Sequence, residues 1–302
     1  MDEGDRVGEQ RSHKLPARAS LNSFAGRRVF ITGGSSGIGK ALAGLLIDEG
    51  AHVCIAARGQ ARIDAALAEL RARVTDDAQT LSSVALDVGD REAVEAAVPK
   101  ILEALGGVDL LINNAGITYP AAMLDTPPEL FDEIMRVNYL GTVHVTRALL
   151  PSMIERGAHD GRRQIAIVSS LAGMIGIYGY SAYSASKFAL VGFAECLRQE
   201  LLAHGVGVSV AFPPDTDTPM LAEENRIKPA QTQALAGQVE VLSPEFVARS
   251  ILLGLRRGRH WIIPGFESKL TCFLVRRFPA LTRWILDAQL RRFERKQLPG
   301  GR

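Results

Sequence analysis

A phenol, an ammonium and a hydroxyl stand at spacings that suit proton transfer. Tyr183 and Lys187 fall in the run Tyr-Ser-Ala-Ser-Lys, and Ser170 lies 13 residues upstream of Tyr183, at the end of an apolar run. On a helix over 182–203 the tyrosine and lysine share one face as an i,i+4 pair. An ammonium near a phenol favours the phenolate, and free tyrosine, with a pKa of about 10, needs such tuning to work near neutrality. Moving a proton is the chemistry these three side chains support. The pair alone fits an exposed turn of helix equally well, so its meaning depends on what surrounds it.

The surrounding elements alternate. Apolar segments at 28–32, 51–57, 81–87, 108–112, 163–169, 206–212 and 260–263 read as strands. Helical stretches at 40–49, 61–73, 90–104, 128–156, 182–203 and 244–257 separate them. This pattern predicts the α/β class: one Rossmann-type doubly wound domain, with a parallel sheet of about seven strands and helices on both faces. The chain has 302 residues, 47% of them hydrophobic, enough for one large core or two at most. No linker divides residues 25–265. Residues 1–24 are polar and mixed in charge, lack the apolar centre of a signal segment, and read as a disordered lead-in. Cys54, Cys196 and Cys272 fit no disulfide or zinc spacing, which predicts a reducing, cytoplasmic setting and no metal. No uninterrupted apolar run is long enough to mark a spanning helix.

The first strand runs into Thr32-Gly33-Gly34-Ser35-Ser36-Gly37-Ile38-Gly39. A glycine cluster alone can be a plain turn. Between strand one and helix one it predicts a phosphate cradle, where backbone N–H groups and a helix N-terminus meet an anion. The end of strand two then sorts dinucleotides, because an acid there would bind the adenosine ribose hydroxyls of NAD. This chain has Ala57-Arg58 instead. Arg58 can neutralise a 2′-phosphate, with Lys40 or Ser35 in a position to assist, so NADPH is expected over NADH. Otherwise Arg58 is a solvated residue at a helix start. Asp87-Val88 ends strand three, where an acid can accept from the adenine amino group. Asn113-Asn114-Ala115-Gly116 ends strand four, where small residues permit close approach to the cofactor. Both lie beyond carboxyl ends of strands, the ligand-binding side of such sheets.

Taken in order, Thr32-Gly33-x3-Gly37-x-Gly39, Asn113-Asn114-Ala115-Gly116, Asn138, Ser170 and Tyr183-x3-Lys187 resemble the short-chain dehydrogenase/reductase family over about residues 27–263. The resemblance implies that Tyr183 is the general acid of carbonyl reduction and that Ser170 hydrogen-bonds the substrate oxygen. It implies that Lys187 lowers the tyrosine pKa and binds the nicotinamide ribose, and that Asn138 holds a relay water near Lys187. Cofactor contacts are expected from Thr32, Gly33, Ser35, Ser36, Gly37, Ile38, Gly39, Arg58, Asp87, Val88, Asn114, Ala115, Gly116, Tyr183, Lys187, Pro213 and Thr218. A homodimer through 128–156 and 182–203 is also implied, with a tetramer through the last strand left open. The chain departs from the family at Pro213-Pro214, where Pro-Gly is usual, and so loses a backbone donor.

The segment Phe212-Pro213-Pro214-Asp215-Thr216-Asp217-Thr218-Pro219 resembles the branch of this family that reduces sphingolipid precursors. The stretches Ser169–Gly173 and Gly176–Tyr180 fit the same branch. That likeness implies NADPH-dependent reduction of the 3-keto group of a long-chain amino ketone. Two other readings stay open. One is a reductase of another lipophilic ketone or alcohol, such as a steroid, retinoid or fatty acyl chain. The other is an NADPH-binding regulatory protein without turnover.

Residues 219–240 are expected to form a lid, with Met220, Leu221, Ile227 and Leu235 as apolar wall. The net charge of +2 conceals a basic end. From Arg256 to Arg302 there are 12 Lys/Arg against 3 Asp/Glu, so this end carries +9 and the rest −7. Residues 266–302 read as a basic amphipathic extension, split into two helical pieces at Pro279. Such pieces can lie in the headgroup plane of a membrane, here on its cytoplasmic face, or pack on a partner subunit. Nucleic acid is not expected, since no nucleic-acid fold is recognisable.

Overall fold

The computed structural model describes residues 23–160, 163–236 and 240–297. Apart from residues 23 and 24, the lead-in expected over 1–24 lies outside the described residues. Phe24 is fully buried and belongs to the core.

The apolar strands pair as the pattern requires. β1 (Arg28–Thr32), β2 (His52–Ala57), β3 (Leu81–Ala85), β4 (Leu110–Asn113), β5 (Arg163–Val168), β6 (Val206–Ala211) and β7 (Trp261–Ile262) form one parallel sheet in the order β3-β2-β1-β4-β5-β6-β7. The expected doubly wound sheet is therefore present. Successive strand residues point to opposite faces, so both faces must be covered. Val29, Ile31, Val53, Ile55, Leu110 and Ile112 face one core, with α1 (Gly37–Asp48) and α9 (Pro244–Arg256). Phe30, Cys54, Leu111, Ile165 and Ile167 face the other, with α3 (Arg91–Leu105), α5 (Gly141–Asp160) and α6 (Ser181–Glu200). α2 (Gln60–Arg71) joins β2 to β3.

Sheet order reverses at β1, which has β2 on one side and β4 on the other. A crevice opens beyond the carboxyl ends of strands at such a reversal. It positions the site.

The helix expected over 128–156 is in fact three pieces. α4 (Pro128–Met135) leads into a π turn at Arg136–Leu140, and α5 follows from Gly141. The extra residue of a π turn changes which way the next side chains point, and such turns recur at functional sites. Asn138 is its central residue. A side chain at Gly141 would collide with Val88, which holds α5 tight against the turn after β3.

The segment expected as a lid holds two helices, α7 (Pro219–Ile227) and α8 (Ala230–Ala236). Thr218 caps α7 by accepting from Leu221 N at 3.3 Å. Such a cap contributes about 1 kcal/mol. The chain ends in α10 (Phe266–Arg277) and α11 (Pro279–Gln297), with Pro279 opening the second helix. α10 turns Ser268 and Cys272 inward, and Arg276 stacks 4.3 Å over the Trp261 ring. α11 buries no side chain fully and packs on α8 and α10.

Candidate active site

Ser170, Tyr183 and Lys187 converge at the carboxyl end of β5. Ser170 sits where β5 passes into a short 3-10 turn, and its hydroxyl accepts from Ala172 N at 3.1 Å. The first turn of α6 brings Tyr183 alongside, near enough for the Ser170 hydroxyl to pull its pKa down. Lys187, one turn further on, is 4% exposed. Its Nζ lies 5.5 Å from the Tyr183 ring centre and donates to Val168 O at 3.0 Å.

The electrostatics differ from the sequence expectation. Tyr183 is half-buried as a residue, but its phenol sits deep enough that desolvation, then the Glu224 carboxylate, raise its pKa above the ordinary value. The Ser170 hydroxyl opposes them, and Asp215 adds to the rise. The ammonium expected to lower the phenol is itself pushed down to about 8 by burial. Burial disfavours both charged forms here, so the resting pair is a phenol beside an easily neutralised amine.

Asn138 does not line the cavity. It is fully buried, its Oδ1 accepts from Ile117 N at 2.8 Å, and its Nδ2 donates to Ile117 O and to Ser186 Oγ, both at 2.9 Å. Ser186 Oγ in turn donates to Tyr183 O at 2.7 Å. Both amide hydrogens are thus committed to tying the loop after β4 to the base of α6. The side chain is thus occupied as a brace.

Most of the expected cofactor residues line one cavity of about 320 Å³, shared with Ser170, Tyr183 and Lys187. Gly33, Ser35, Ser36, Gly37 and Ile38 line it at the β1–α1 turn, Arg58 past β2, Asp87 and Val88 past β3. Asn114, Ala115 and Gly116 line it past β4, and Pro213 and Thr218 past β6. Thr32 and Gly39 do not. Thr32 Oγ1 accepts from Asn114 N at 3.0 Å and Ala115 N at 3.1 Å, joining β1 to the β4 loop. Gly39 packs so closely on Gly33 O and Asn114 Nδ2 that no side chain fits there.

The cradle suits a dinucleotide phosphate. Gly33 has φ +66°, and a Cβ on it would lie 2.9 Å from Ala115 Cα. Ser36, at the N-cap of α1, makes no side-chain cap bond, so the first N–H groups of that helix remain available to an anion. Arg62 joins Arg58 in the lining, whereas Lys40 is paired with Glu69 at 2.7 Å and does not line the cavity.

Several partners had no sequence signal. Asp87, assigned to adenine, accepts from Gly89 N at 3.0 Å and pairs with Arg136 at 3.1 Å, across 49 positions. Tyr180 donates to Glu224 Oε2 at 2.8 Å from another element. Arg62, in the first turn of α2, could have been found as a second arginine four residues after Arg58. Of the apolar lid residues, Met220, Leu221 and Leu235 line the cavity, while Ile227 does not and is 44% exposed.

A doubly wound sheet with a glycine cradle, a serine after β5 and a Tyr-x3-Lys turn defines a class, and the comparisons agree. A family model described as short chain dehydrogenase matches residues 27–228, and the chain belongs to that family. Among its relatives, the 3-ketodihydrosphingosine reductase of Bos taurus is 39% identical over 255 residues, covering 83% of this chain and 76% of the relative. The 3-dehydrosphinganine reductase of Danio rerio is 42% identical, over 82% of this chain and 75% of that one. Among solved structures, a short chain dehydrogenase/reductase from Burkholderia phymatum in complex with NAD has a TM-score of 0.75 at 25% identity, covering 87% of this chain and 97% of that one. A 3-ketoacyl-(acyl-carrier-protein) reductase from Brucella melitensis complexed with NADH has a TM-score of 0.70 at 28% identity, covering 80% and 97%.

Proposed function

We propose that this chain reduces the 3-keto group of 3-ketodihydrosphingosine to give sphinganine, with NADPH as reductant. The carrying observation is that Ser170, Tyr183 and Lys187 open on one cavity with the phosphate cradle, in a chain 39–42% identical to reductases named for that reaction. Bound NADPH supplies the hydride. The developing negative charge on the carbonyl oxygen is met by the hydroxyls of Ser170 and Tyr183, which stabilise it more than they stabilise the ground state. Tyr183 gives up its proton to that oxygen. Lys187 sits beside the phenol to balance the phenolate left behind. Asn138 braces the base of α6 through its side chain, which leaves its backbone to hold a relay water near Lys187.

Arg58 and Arg62, with no acid at the end of β2, support the phosphorylated cofactor through charge on a 2′-phosphate. Wild type is expected to have the higher kcat/KM with NADPH, and Arg58→Ala to lose most of that preference. A wild-type preference for NADH would overturn the assignment. The substrate is tested by NADPH consumption with 3-ketodihydrosphingosine beside a panel of steroid, retinoid and acyl ketones. Turnover confined to the panel would reject the proposal, and NADPH binding without any turnover would favour a non-catalytic role.

The tail supports peripheral membrane contact. Among the described residues no helix is long and apolar enough to cross a membrane. Yet α10 exposes Phe266, Leu270 and Phe273 at helical spacing, opposite its buried Ser268 and Cys272, and α11 exposes Leu281 and Trp284. An apolar stripe among basic residues fits an anionic lipid surface, on the cytoplasmic face of the membrane that holds the substrate. A homodimer through α4, α5 and α6 is part of the same proposal.

A further inference from the structure

Lid helix α7 places a carboxylate where proton transfer does not need one. Glu224 is nine-tenths buried yet lines the cavity. Buried carboxylates require partners, and this one has two. The Tyr180 hydroxyl donates to Oε2 at 2.8 Å, and Lys228 Nζ lies 3.7 Å from the same oxygen. Lys228, also nine-tenths buried, is 3.6 Å from Oδ2 of Asp215, a second carboxylate of the lining. Two carboxylates therefore share one ammonium, and with both ionised the group carries a net −1.

The Tyr180 and Tyr183 rings are 5.8 Å apart, so this charge stands one ring away from the proton donor. It works against the phenolate. After burial itself, Glu224 is the largest influence holding the Tyr183 pKa up. Burial likewise raises the Glu224 carboxyl, with Asp215 adding to the rise, against the opposing pull of Tyr180, Thr118 and Lys228. A net charge in a poorly solvated pocket carries a desolvation cost that an opposite charge relieves. With both carboxylates ionised, the Glu224–Asp215–Lys228 group is short of one cation.

On the function proposed above, which this inference rests on, the substrate brings that cation. Its amine sits on the carbon next to the reacting ketone. An amine so placed resembles an α-amino group, with a pKa of about 7.7–8.0, and is largely charged at neutral pH. We propose that Glu224, supported by Asp215, receives the substrate ammonium and so orients the adjacent ketone toward Ser170 and Tyr183. Glu224 is then a specificity-determining residue. A ketone without the amine leaves the charge group unmatched, and sites built for a polar group discriminate strongly against analogues lacking it. The ammonium also cancels the field opposing the phenolate, so the correct substrate readies its own proton donor.

The test compares kcat/KM for 3-ketodihydrosphingosine and its deamino analogue, 1-hydroxyoctadecan-3-one. Wild type, Glu224→Gln, Glu224→Asp and Asp215→Asn are assayed, with NADPH binding and thermal melting checked in each. Wild type is expected to favour the amine-bearing ketone by at least ~10-fold, the scale of a hydrogen bond to a charged group. That ratio is expected to collapse toward one in Glu224→Gln, chiefly through KM for the amine-bearing ketone, and to survive in part in Glu224→Asp. Equal slowing of both ketones in Glu224→Gln, with the ratio unchanged, would mean a structural role and overturn the inference. A wild type that reduces 3-ketodihydrosphingosine without preferring it overturns the ammonium site and leaves the proposed function standing. A wild type that reduces other lipophilic ketones but not this one overturns both. Should Glu224→Gln fail to fold, the Asp215→Asn ratio decides: a fall supports the site, and no change rejects it.

Discussion

Tyr183 is held as an acid by its surroundings. Burial and two carboxylates keep its proton on in the resting site and oppose the phenolate that the proposed proton transfer would leave. Tyr183→Phe is expected to fold and bind NADPH, yet to reduce substrate at least ~100-fold more slowly, within the range for lost proton transfer. Steady-state turnover beside a cofactor titration checks this. Lys187 makes a separate prediction through stability. Its folded pKa of about 8 lies below the ordinary lysine value of 10.5, so from pH 8 to 10.5 the unfolded chain binds more protons than the folded one. Stability from this group therefore rises with pH across that window and is lost again as pH falls through 8, by at most about 3 kcal/mol. The raised tyrosines and cysteines pull the other way at high pH, so the difference between wild type and Lys187→Met isolates the lysine. Urea unfolding at pH 7 and pH 9.5 should show Lys187→Met gaining on wild type more at the lower pH. The Tyr-x3-Lys spacing was readable because one helical turn fixes it. The field on Tyr183 was not, because Glu224 reaches it only through the packing of α7.

At the scale of elements, the π turn between α4 and α5 does the work that a continuous helix could not. It seats Asn138 between the β4 loop and α6, where its amide joins Ile117 to Ser186. Asn138→Ala leaves buried backbone groups of Ile117 without partners, at a cost of about 1–3 kcal/mol for each group. A lower urea midpoint is expected, with kcat reduced more than NADPH affinity, because the brace holds α6 rather than the phosphates. The strands and the glycine cradle were legible from period and composition, since burial on two faces writes near-continuous apolar runs. The break in the helix was not. A single extra residue in a turn leaves the apolar pattern of 128–156 almost unchanged. Arg136 escaped for a similar reason, its partner Asp87 being brought close only by β3 and α4 docking together.

At the scale of the whole molecule, the proposed membrane contact of the basic tail is open to direct test. Replacing Phe273, Leu281 and Trp284 together by Ser should lower co-sedimentation with anionic liposomes severalfold, since buried apolar area and basic charge share that binding. Solution turnover on a short, soluble ketone should change little. An unchanged bound fraction would reject the membrane role. Substitution is preferable to deleting residues 266–302, because Arg276 stacks over Trp261 and Cys272 packs against Met174, and both contacts would be lost. The sequence announced this tail by charge and aromatic content but not its seat, because nothing in its composition names α8 as a neighbour. That seat has a practical consequence. α8 supplies Leu235 to the cavity wall and carries α11 on its outer side. A surface that held α11, as the proposed membrane contact would, thus bears on a helix of the cavity wall, so a detergent micelle and a flat bilayer are different assay media for this protein, and rates from the two should not be pooled.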